Sequence, residues 1–143
     1  MTASPPSETA EFPLRSIVLL AGAGFAAQAM VRVTDSLLPQ IAYDFQTTVG
    51  QAAIVIAAYS VAHGSVQLII GPIADRFGKY RTIALMCALS TVLVALCGMV
   101  TTLPELAIAR FASGAACGWI VPISLAYVGD VTPAARIQPV IGR

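Results

Sequence analysis

Apolar positions run along this chain in long charge-free windows. They are Ser16–Val31, Phe45–Ala74, Thr82–Pro104 and Phe111–Gly129. A bilayer core of about 30 Å needs about 20 apolar residues in helical form. Two windows reach that length outright. The other two reach it when Arg32 and Asp35, or Arg110, are admitted at their ends. The pattern predicts an all-α membrane protein with four transmembrane helices, at 16–38, 51–73, 82–103 and 105–128. The stretch 1–15 reads as a tail, 74–81 as a loop and 129–143 as a polar segment. Pro39 and Asp44 fall in the first loop, and Pro104 starts the fourth helix.

Composition narrows the class. Of 143 residues, 57% are hydrophobic and 10% charged, against about 25% charged in a soluble domain. Mean hydropathy is +0.82. These values exclude a disordered chain and speak against a soluble enzyme domain. A net charge of +1 gives no basic excess for nucleic acid. The leader, with Glu8, Glu11 and a single Arg15, is not a signal peptide's basic n-region.

Charge placement sets the orientation. With four alternating spans, Arg15, Arg76, Lys79, Arg81, Arg136 and Arg143 share one side, and the opposite loops hold no Lys or Arg. The positive-inside rule makes that side cytoplasmic, so both ends of the chain are cytoplasmic and the protein sits in a cell membrane, inner or plasma.

Charges within the spans mark the chemistry. Arg32 and Asp35 share a helix face, roughly 5–9 Å below the outer surface by helical rise. Arg110 lies at similar depth, about 7 Å in from Glu105. A charge at the centre of a span costs at least about 2.5 kcal/mol and marks a pathway by default. Snorkelling to the headgroups is the alternative, and it suits Arg32 better than the short Asp35. His63 falls near mid-bilayer in a polar stripe with Tyr59 and Gln67, spaced by four. It reads as a proton or substrate contact or as an interhelical hydrogen bond. Gly114 and Gly118 form a packing pair, and Pro122 is expected to kink the helix. Cys87, Cys97 and Cys117 form no CxxC pair and read as packing residues. No nucleophile stands with a base, and no cofactor or metal is called for.

The most specific stretch is Gly71-Pro-Ile-Ala-Asp75-Arg76-Phe-Gly78-Lys79-Tyr-Arg81. Gly71 would admit a neighbouring helix, and Gly78 a turn that a side chain obstructs. The pattern resembles the signature between the second and third helices of the major facilitator superfamily. Gly71, Asp75, Arg76, Gly78 and Lys79 match it, while Tyr80 replaces the second basic residue and Arg81 follows one place later. Arg110-x-x-x-Gly114 resembles the family's fourth-helix motif. Asp130-x-x-Pro-x-x-Arg136 is similar to its cytoplasmic exit, and Asp35–Phe45 to the first-helix end of drug- and sugar-efflux branches.

The resemblance covers residues 16 to 143, the first third of a twelve-helix architecture of two halves. It implies the N-terminal portion of a secondary transporter of small solutes by alternating access, proton-coupled and efflux-like, with the second half as its missing partner. It also implies that Gly71–Arg81 is a gating loop and that Asp130 with Arg136 belongs to the same charge cluster. Arg110 would act in proton transfer with Asp35 as the nearest acid. The competing readings are a free-standing four-helix protein, dimeric like small multidrug-resistance transporters, and a non-transporting scaffold.

Overall fold

A computed structural model of the chain describes residues 14–131, the side chains of Leu14, Pro72, Asp75 and Val131 aside. The leader and the segment carrying Arg136 and Arg143 lie outside the described residues, as does the Asp75 side chain. The described residues form seven helices and no strand. They are α1 (Leu14–Asp44), α2 (Val49–Ala52), α3 (Ile54–Val66), α4 (Ile70–Phe77), α5 (Lys79–Cys97), α6 (Leu103–Cys117) and α7 (Ile120–Val131).

α1 runs six residues past the expected end of the first span, so Pro39 is interior and not in a loop. A proline removes one i→i−4 bond and leaves the rest of the ladder. Beyond it the Gln40 amide donates to Asp44 at 2.8 Å and steadies the last turn. The chain then turns at Gln46, whose φ is +51°. α2 starts on a capping box in which Thr48 accepts from the Gln51 N–H and the Gln51 side chain accepts from the Thr48 N–H. A single residue, Ala53, separates it from α3. α6 starts the same way, on a box between Thr102 and Glu105, with Pro104 in its first turn as expected.

The second span is broken at Ala53 and again before α4, and the fourth span once. Gln67–Ile69 form a turn between α3 and α4, and Gly118–Trp119 separate α6 from α7. The latter break is where Pro122 acts. Its missing N–H frees the Gly118 carbonyl, so the kink falls one turn before the proline.

The expected loop 74–81 is almost absent. α4 continues through Phe77, α5 begins at Lys79, and Gly78 alone joins them with φ +86° and ψ +122°. Only glycine adopts that conformation without strain, so the change of direction is compressed into one residue.

The fourth span is the hub. α6 packs against α3 and α5, and α7 against α1 and α5. Half of its apolar window is buried, against about a fifth in the other three spans. Leu20, Ile70, Ala74, Ile83, Ile123 and Val128 form a buried core near the Gly78 end, with Trp119 and Tyr127 packed on it. Phe25, Leu68, Met99 and Ile108 are among many large apolar side chains left exposed. Four helical stretches are long and apolar enough to cross a membrane, and the exposed apolar surface suits a lipid solvent rather than water.

Candidate functional site: a buried arginine between three helices

Two glycines on α6 create the site. A Cβ on Gly114 would run into the Tyr59 carbonyl, and one on Gly118 would sit 2.8 Å from the His63 carbonyl. Without side chains there, the α3 backbone lies directly on α6, as small-residue seams in membranes allow. Tyr59 therefore comes against the arginine one turn before Gly114, with His63 one turn further along α3 beside Gly118. Their rings stack at 5.7 Å between centroids.

Arg110 is 6% exposed. Its guanidinium carbon lies 4.3 Å from the Tyr59 ring centroid. Its Nη2 donates to the Met30 carbonyl on α1 at 3.2 Å. The cation is thus held by a π-face and a backbone dipole. A contact of this kind is worth about 0.5–2 kcal/mol, more when desolvated. Three polar atoms of the cluster are buried without a hydrogen-bond partner: Arg110 Nε, Tyr59 Oη and His63 Nδ1. The Cys117 thiol, a weak partner at best, borders the Tyr59 hydroxyl. Ser113 donates to the Arg110 carbonyl at 3.0 Å and adds no anion.

The expected meeting of Asp35 and Arg110 does not occur. Asp35 pairs with Arg32 on its own helix at 3.5 Å, with side chains 45% and 84% exposed. The reason is register. Met30, whose carbonyl Arg110 Nη2 reaches, lies five residues before Asp35, about 7.5 Å along the helix. The polar stripe on α3 also divides. Tyr59 and His63 face α6, while Gln67 sits exposed in the turn after α3.

At the other end, Gly71 is exposed, and nothing lies within 4 Å of where its Cβ would be. The neighbouring helix expected there is absent among the described residues. Arg76 is exposed. Lys79 pairs with Asp130 of α7 at 2.5 Å, a link across 51 positions that the sequence reading, which grouped Asp130 with Arg136, did not make. Tyr80 and Tyr127 approach to 6.2 Å beside it. Together with Arg81 these four residues border a hollow of about 680 Å³. The signal available for the Lys79–Asp130 pair was only that both residues end helices on the cation-rich side.

Comparison with known proteins places the chain. The family model described as Major Facilitator Superfamily matches residues 20–143. The chain is 29% identical to the uncharacterized MFS-type transporter YwfA of Bacillus subtilis, over 92% of this chain and 32% of that protein. It is 28% identical to the lincomycin resistance protein of Streptomyces lincolnensis, over 87% of this chain and 26% of the relative. It is 33% identical to the multidrug export protein EmrB of Haemophilus influenzae, over 64% and 18%. It thus spans a fifth to a third of the length of these relatives. No solved structure matches it. A family match over residues 20–143, on four long apolar helices with a buried arginine in the fourth, means that the chain belongs to the major facilitator superfamily and is a multi-pass membrane protein.

Proposed function

We propose that this chain is the N-terminal part of a secondary transporter that moves small, drug-like solutes out of the cell by alternating access, in exchange for protons. The observation that carries the reading is Arg110. A cation is buried inside a membrane-spanning helix, in contact with a ring and a carbonyl rather than with an acid. An intramembrane charge so placed is costly, and function is its ordinary justification. Drug export and drug resistance in the names of relatives support the efflux direction.

In this reading both ends of the chain are cytoplasmic, in an inner or plasma membrane. Asp35 is the carboxylate that takes up a proton in one state and releases it in the other, with Arg32 beside it as the alternating partner. His63, with its unpartnered Nδ1, lines the same half of the protein. Gly71, Asp75, Arg76, Gly78, Lys79 and Arg81 form the cytoplasmic gate. The Lys79–Asp130 pair ties that gate to the end of the fourth span.

The test is pH-gradient-driven accumulation of ethidium in inside-out vesicles containing the transporter. Asp35→Asn abolishes the gradient-driven component while leaving insertion intact. Flux persisting at the unmodified rate removes Asp35 from coupling. Asp75→Asn in the same vesicles reads the gate, and unchanged flux reduces the motif to a topology signal.

A further inference from the structure

Two of the helix breaks meet in space. The turn Gln67–Ile69 divides the second span, and Gly118–Trp119 divides the fourth. Val66, the last residue of α3, lies directly on Gly118. A Cβ added to that glycine would run into the Val66 side chain and the His63 carbonyl. The two spans are therefore interrupted side by side.

Both breaks have the tighter bonding of 3₁₀ turns. The N–H groups of Gln67, Leu68 and Ile69 donate to carbonyls three residues back, at 3.2, 3.3 and 3.1 Å. Trp119 donates to the Ala116 carbonyl at 3.5 Å, and Pro122 offers the Gly118 carbonyl no N–H at all. Such bonds are poorer than those of an α-helix, and a 3₁₀ stretch in mid-helix often marks a hinge.

Packing divides at the same level. α3 packs on α6, whereas α4 packs on α5 and α7. Ile70 and Ala74 of α4 share one buried cluster with Ile123 and Val128 of α7. The Lys79–Asp130 pair ties the end of α7 to the first residue of α5, and Gly78 alone joins α5 to α4. The ends of these three helices are thus fastened together. α4 and α7 each connect to the α3–α6 seam through a weakened turn. α1 is one continuous helix through this level, and the bond from Arg110 to its Met30 carbonyl fastens it to α6.

We propose that α4 and α7, with the start of α5, swing as one body about a common hinge at Gln67–Ile69 and Gly118–Trp119, while α1 and the α3–α6 seam stay in place. α5, which has no break, follows by gentle curvature. The contact between the breaks makes the hinge a shared one, since Gly118 cannot tilt without displacing Val66. α7 has 12 residues, so a tilt of about 20° carries its far end about 6 Å. The hinge is a property of the packing and does not depend on the coupling role given to Asp35.

Pulsed electron paramagnetic resonance on the full-length transporter in lipid nanodiscs, in a background without native cysteines, tests it. Nitroxides are placed on Val18→Cys of α1, Phe77→Cys at the end of α4 and Gly129→Cys near the end of α7, all exposed positions. The pairs 18–77 and 18–129 are each expected to give two distances in the same proportion, several ångströms apart. The pair 77–129 gives one. Pro122→Ala supplies the missing N–H and stiffens the fourth span alone. It is expected to shift the 18–77 proportions as far as the 18–129 ones, although α4 carries no change. A single distance for all three pairs overturns the proposal, and this needs no proline variant. So does a response to Pro122→Ala confined to 18–129, which would make the two breaks independent kinks.

Discussion

Arg110 shows at the scale of one residue what could be read in advance and what could not. Its charge stood out against an apolar window, so its importance was legible. Its partners were not. The Met30 carbonyl is a backbone group that no side-chain pattern encodes, and the Tyr59 ring was visible only as part of a polar stripe. Asp35 was the wrong choice because sequence spacing ignores which atom a guanidinium fork reaches first. The geometry separates the ring from the hydroxyl of Tyr59. The ring holds the cation, while Oη has no partner. Tyr59→Phe therefore leaves the melting temperature in detergent unchanged or raises it, because it deletes an unsatisfied polar atom. Tyr59→Leu loses the π-face and opens a cavity at a residue 1% exposed, a cost of about 2–5 kcal/mol. Equal damage from the two substitutions would mean that the hydroxyl, through Cys117, carries the contact.

Elements were legible in number and less so in their ends. Four spans were readable because apolar length is a strong signal in a bilayer. The breaks at Gln67–Ile69 and Gly118–Trp119 were not, since no charge marks them. Pro122 announced a kink but not that it would fall a turn earlier. The signature stretch was read as a loop because it is polar, yet α4 and α5 run through it on either side of Gly78. Polarity there reports the membrane edge, not loss of helix. The glycine argument held at Gly78, where φ is +86°, whereas Gly71 has no close neighbour among the described residues. The two positions form a matched test. Gly78→Ala forces an unfavourable backbone and lowers stability by about 1–3 kcal/mol. Gly71→Ala, on an exposed helical face, is neutral or stabilises by up to about 1 kcal/mol. Thermal melts of both variants in one detergent decide it, and equal melting temperatures would remove the special role of Gly78.

The molecule as a whole is a hub with satellites. The fourth span carries the buried arginine, the glycine seam and one end of the Lys79–Asp130 pair, while the other three spans leave most of their apolar surface open. Such a body is stable only if lipid or further protein covers that surface, and its orientation then follows from where charge cannot go. Arg76, Lys79 and Arg81 cluster at one end, whereas the turns at 45–48 and 98–102 hold no Lys or Arg. The two ends should therefore face opposite compartments. In a background without native cysteines, Thr101→Cys is expected to react with a membrane-impermeant maleimide added to intact cells. Phe77→Cys, at a site 66% exposed beside Gly78, reacts only after the cells are opened. Both side chains are at helix ends, so neither substitution disturbs the hub. Reaction of Phe77→Cys alone from outside would invert the topology, and reaction of both would break the alternation of spans; either outcome overturns the placement of the gate.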